Sequence, residues 1–261
     1  MDDDRALELY GEFRKNYRAQ VVVERVVPVA TLDKGNPIPL AKVPFYDLAS
    51  DTLRELSNTI NDFRRWINVL AAWLPIYNRC ETEEKLDLLL EHIGTSATLA
   101  LSAPQAIKGR LIFASAMSCG HTNYELHRDD PERQWSGKGH LTMKIASRVG
   151  QPWASWKMLA PILSELGKGA IYDETDDYRN QREHGHPRNI GIGLTAMFTV
   201  EDTKEGRRWA FGARQAIPLE AVIGVSIEQH AAVCSAYDAY FELTKEQFTA
   251  LMGDSIFSGF L

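Results

Sequence analysis

From Thr52 onward, apolar residues fall at Leu53, Leu56, Ile60, Phe63, Ile67, Leu70, Leu74 and Tyr77, with spacings that alternate between three and four. That rhythm places one apolar stripe along a long helix. Thr52 and Glu55 have the form of a capping box and predict its start, and Pro75 marks where the pattern frays. The polar residues Arg54, Asn61, Arg64, Arg65 and Asn68 occupy the other faces. The stripe is too short for a sustained coiled-coil seam and reads as a core helix of a bundle.

The same reading extends in both directions. Residues 2–20 predict a short helix, and the β-branched run Val21-Val22-Val23-Glu24-Arg25-Val26-Val27 predicts a strand. Between Pro28 and Pro44 four prolines, Gly35 and Asn36 exclude a helix and predict an extended arm, with a boundary near residue 48. Downstream, helices are predicted from Glu83 to about Ala100, from Pro104 as a first residue, and over His140 to Leu166 with a break at 150–152. Two strand-like segments, 194–200 and 208–212, flank the turn-rich 201–206 and predict a β-hairpin. Pro218 then opens a last helix carrying Val222, Val225, Gln229, Ala232, Ala236 and Tyr240 on one stripe. The expected fold is mainly α: a 1–50 helix, strand and proline-rich arm, then a 51–261 helical domain with a hairpin inserted near 194–212.

Composition narrows the setting. The chain has 261 residues, 44% of them hydrophobic and 25% charged, which is ample for a core without disulfide or metal staples. Its three cysteines, Cys80, Cys119 and Cys234, are odd in number, widely spaced and not arranged as CxxC, which predicts a reducing compartment. The acidic opening Met1-Asp2-Asp3-Asp4 is unlike a secretory signal and no apolar run is long enough to span a bilayer, so a cytoplasmic protein is expected. A formal charge of −6 excludes bulk electrostatic binding of nucleic acid and requires any polyanion to be met by a local patch.

The chemistry concentrates in Tyr178-Arg179-Asn180-Gln181-Arg182-Glu183-His184-Gly185, which follows the acidic run 173–177. On a helix, Asn180 and His184 share a face, and Arg179 reaches the same point only through its long side chain. Gly185 is placed as the residue after the helix end, leaving His184 in the last turn, where the helix dipole favours a cation. Imidazole titrates near neutrality and guanidinium forks onto phosphate oxygens, so the pair suits phosphodiester chemistry without metal.

Arg179, Asn180 and His184 resemble the R-x4–6-H signature of the HEPN superfamily, helical-bundle domains of toxin–antitoxin, abortive-infection and CRISPR-associated ribonucleases, in which Asn, Asp or His is favoured after the Arg. The resemblance implies a HEPN-like bundle over roughly residues 52–250, with the arm and the hairpin outside its minimal four-helix form. It implies a metal-independent endoribonuclease of a toxin or antiphage-defence system, working as a homodimer on RNA under an antitoxin or sensor protein, with no cofactor and no membrane. His184 would be the general acid/base, Arg179 the phosphate stabiliser and Asn180 the positioning group. Tyr178, Arg182 and Arg188 would add substrate contacts.

Other readings stand beside it. Arg179 pairing with Asp176 or Glu183, with His184 closing its helix, gives a structural motif, and a non-catalytic module binding RNA, nucleotide or a partner would keep the same residues. His184-Gly-His186, with His121, His127, His140 and Glu125 upstream, suggests a metal-dependent phosphohydrolase. Gly191-x-Gly193-x-x-Ala196 lacks the preceding strand and following helix of a dinucleotide site. Gly137-Lys138-Gly139 is a basic loop without the spacing of a P-loop, Cys119 and His121 do not face each other on a helix, and Trp153 and Trp156 predict core packing.

Overall fold

The computed structural model describes residues 1–29, 38–135, 137–195, 198–204, 206–211 and 214–253. The fold is mainly helical. Helices α1 (Asp3–Ala19), α2 (Val43–Arg79), α3 (Thr82–Leu88) and α4 (Gly94–Leu126) are followed by the shorter α5 (Met143–Gly150), α6 (Trp156–Glu165), α7 (Ala170–Thr175) and α8 (Tyr178–His184). Strands β1 (Leu194–Thr195), β2 (Phe198–Thr203), β3 (Gly206–Phe211) and β4 (Arg214–Gln215) precede the final α9 (Leu219–Met252). Two compact units result: Met1–Arg25, Phe63–Pro104 and Gly167–His230 form one, and Val26–Asp62, Gln105–Leu166 and Ala231–Leu261 the other. No helix among the described residues is long and apolar enough to cross a membrane.

The apolar stripe is the core of α2: Leu53, Leu56, Ile60, Phe63, Ile67 and Leu70 are all buried. The helix begins nine residues before the capping-box signal, because Phe45 and Ala49 extend the same buried face and Pro44 falls in the first turn, where a missing N–H costs nothing. The boundary expected near residue 48 therefore lies inside a helix, and Thr52 is mid-helical. One other break is absent. The helix expected over Glu83 to Ala100 runs through a π-helical turn at 89–93 into α4, and Pro104, expected as a first residue, sits inside α4, with Leu101, Ala103, Ile107 and Leu111 buried on either side of it. That burial outweighs the ~3 kcal/mol a proline costs a helix interior.

The segment expected as a strand, 21–27, is irregular and pairs with no strand among the described residues. In the first unit, the buried Asn68 side chain of α2 accepts from Val22 N and Val23 N (3.0 Å each) and donates to Val23 O (3.1 Å). In the second, Asn61 accepts from Val27 N (2.9 Å) and donates to Val27 O (2.8 Å), and Ser57 donates to the same carbonyl. Side-chain amides supply what a neighbouring strand would have given. The residues of the expected arm at 30–37 lie outside those described.

Within the first unit, α1 is fixed by Leu9, by Phe13 stacked on Trp73 (4.5 Å between ring centroids) and by His92 stacked on Trp73 (5.0 Å). Two ion pairs flank this stack, Arg5–Glu84 (2.8 Å) and Arg79–Glu12. The Arg5 hydrogen bond holds the Glu84 carboxyl below the ordinary carboxylate range, and the Arg79 hydrogen bond does the same to Glu12. A lowered folded-state pKa gives stabilisation that is present above the unfolded value and lost as pH falls through the folded one. Both pairs are partly exposed, so the effect is small and salt-sensitive. The thermal midpoint is expected to fall between about pH 5 and about pH 3, and a Glu12→Gln, Glu84→Gln double variant to show a shallower fall over that window.

In the second unit, Asn123 gathers a buried polar centre, donating to Arg133 O (2.7 Å) and Val149 O (2.8 Å) and accepting from Trp153 Nε1 (3.0 Å). Trp153 and Trp156 are both core residues, as their spacing predicts. A Cβ at Gly150 would meet the Trp156 ring at 2.4 Å, so only glycine admits that indole.

Candidate functional site

The motif lies in the first unit, on a helix whose start is defined by unusual backbone. Asp176 and Asp177, between α7 and α8, both adopt the left-handed conformation (φ 58° and 50°). Aspartate tolerates that region better than most residues, yet each such position costs on the order of 1 kcal/mol. The surroundings fix them. Asp176 is ion-paired with Arg214 of β4, and Asp177 N donates to Tyr172 O (3.0 Å). The Arg188 guanidinium donates to Glu174 O (3.0 Å), Gln215 O (2.8 Å) and Ala216 O (3.4 Å), bolting the α7–α8 turn to the root of the hairpin.

The hairpin root has its own constraint. Gly191 (φ 75°) lies against Tyr77 and Leu89, where a Cβ would meet the Tyr77 hydroxyl at 2.5 Å. Its amide donates to Ile217 O (2.8 Å). The Gly191-x-Gly193 pair thus serves a close backbone approach inside this unit and opens no helix.

α8 presents the motif. Asn180, Arg182 and His184 are exposed, and the His184 side chain retains 71% of its accessibility. Arg179 is ion-paired to Glu183 one turn later (3.0 Å), and the same carboxylate lies 3.9 Å from His184 Nε2. The backbone puts Asn180 and His184 on one face and Arg179 and Glu183 on the adjoining one. Gly185 donates to Gln181 O (2.8 Å) and ends the helix at φ −152°, ψ −136°, not in the left-handed turn its position suggested.

Two residues expected at the substrate stand elsewhere. Tyr178 is buried and its hydroxyl shares a hydrogen bond with Thr98 (3.1 Å), because it is the apolar anchor of α8. Arg188 spends its donors on three backbone carbonyls. Of the two partners the sequence offered Arg179, the structure takes Glu183. Arg214 is what the sequence reading missed, since nothing local marks it as the partner of an aspartate 38 residues earlier.

The metal reading finds no ligand set, since no three His, Cys, Asp or Glu side chains converge among the described residues. The three cysteines are buried and form no disulfide, and desolvation pushes the Cys119 and Cys80 thiols up, so neither of these is poised as a thiolate nucleophile. No protein family matches this chain, and no curated protein or solved structure matches it.

Proposed function

We propose that the chain is a metal-independent endoribonuclease of the HEPN type, acting in a toxin or antiphage-defence setting. The observation that carries this reading is the joint presentation of Arg179, Asn180 and His184 on one exposed helix whose start is locked in a strained, ion-paired turn. Strain held by surrounding structure is common where side chains must be aimed. The acidic run before the motif is less repulsive than its sequence suggests, because Asp176 is neutralised by Arg214.

In this reading a phosphodiester displaces Glu183 from Arg179, and the guanidinium bears the charge that builds on the phosphorane. Asn180 positions the phosphate or the imidazole, and Arg182 adds a second cation. One imidazole takes the proton of the ribose 2′-OH, the 2′-oxygen attacks phosphorus, and a second imidazole returns a proton to the departing 5′-oxygen. The products are a 2′,3′-cyclic phosphate and a 5′-hydroxyl. A single His184 cannot comfortably fill both proton roles in one turnover, which asks for the motif of a second copy. An antitoxin or sensor protein would restrain the activity.

The test is incubation of purified protein with single-stranded RNA in excess EDTA. Fragments ending in cyclic phosphate are expected. Intact RNA, or cleavage that appears only when zinc or manganese is added, overturns the proposal.

A further inference from the structure

The hairpin registers Leu194 opposite Gln215, Thr195 opposite Arg214, and then Phe198 opposite Phe211 through Thr203 opposite Gly206. Within β2 and β3, opposed residues share a face and the face alternates along each strand. Phe198, Val200, Trp209 and Phe211 therefore share one face, and Arg208 and Thr203 lie on the other. The apolar face is open: Phe198 is 56% exposed, Val200 45%, Trp209 76% and Phe211 85%. Phe198 and Phe211 touch each other, with ring centroids 4.7 Å apart.

A two-stranded ribbon is marginal in water unless one face is covered. At about 200 Å² per aromatic side chain and somewhat less for Val, these fractions leave roughly 500 Å² of apolar surface on this face. That is the upper end of what a monomer normally exposes. We infer that this face is a homotypic interface, covered by the same face of a second copy of the chain. A two-fold axis across it makes the patch its own complement, which an apolar surface permits and a single-sign charged one does not. The pair would bury about 1,000 Å² in total, the lower bound for a specific interface. A polyanion fits less well, because Arg207 is the one basic residue the described register places on this face. The inference rests on the exposed face itself, although the ribonuclease reading independently asks for a second copy.

The test is the mass of the full chain in solution by sedimentation equilibrium over a dilution series. Wild type is expected at twice the 29.4 kDa chain mass. Trp209→Lys combined with Phe211→Lys is expected to halve that mass with unchanged far-ultraviolet circular dichroism. Val200→Lys, a milder change on the same face, should do the same if the double variant fails to fold. A wild type at single-chain mass throughout, or a folded variant that keeps the double mass, overturns the inference. A monomeric wild type whose binding to a single-stranded oligonucleotide is lost on Trp209→Ala would reassign the face to base stacking. His184→Ala should retain the double mass, so loss of association and loss of cleavage are separable.

Discussion

His184→Ala is expected to reduce RNA cleavage by about 10²–10⁴-fold, the range set by removal of a general acid or base. Thermal unfolding should change by no more than about 0.5 kcal/mol, because the imidazole is mostly solvated and fills no packing site. That split between activity and stability is the informative result. An imidazole that merely closed α8 would cost stability and leave cleavage intact. Arg179→Ala should lose a comparable factor and Arg179→Lys recover part of it, since ammonium supplies charge without the planar fork. Releasing Glu183 from its pair costs little by itself, because an exposed i,i+4 ion pair contributes only about 0.3–0.5 kcal/mol. Wild-type cleavage by His184→Ala would remove the assigned role.

Asn68→Ala is expected to be the most damaging single polar substitution for stability. Asn68 is nearly fully buried and serves Val22 N, Val23 N and Val23 O together. Alanine leaves two donors and one acceptor without a partner where water reaches poorly. At about 1–3 kcal/mol per buried orphan, with relaxation of the partly exposed Val22, the loss should be roughly 3 kcal/mol. In a chain of this size that lowers Tm by about 6–10 °C. Asn61→Ala should cost less, because Ser57 still donates to Val27 O when Asn61 is gone. Equal, small shifts for both variants would show that residues 21–27 are not held by these amides.

Asn68 and Asn61 both fall on the polar side of the α2 pattern, where a one-dimensional reading assigns them to solvent. What they bond is an irregular segment, 45 residues earlier for Asn68 and 34 for Asn61. The same limit explains why Val21–Val27 reads as a strand: β-branched residues prefer extended backbone, but a strand also needs a partner, and propensity carries no information about which partner arrives.

The site divides along the same line. Arg179, Asn180 and His184 were legible as a chemical set because four- and five-residue spacings fix their relative positions on any helix. That Tyr178 turns inward and Arg188 is consumed by carbonyls was not, since burial is a property of neighbours distant in sequence.

By itself, then, the sequence determined what is local: the mainly helical class, the stripe from Leu53 to Leu70, the hairpin before the last helix and the composition of the motif. Only the tertiary structure decided how far α2 and α4 run through their prolines, what the 21–27 backbone bonds to, and which of the arginines near α8 are free to meet a ligand. The physical reason is range. Periodicity and turn preference act over a few bonds and are written residue by residue, whereas burial and hydrogen-bond satisfaction depend on groups that only folding brings together.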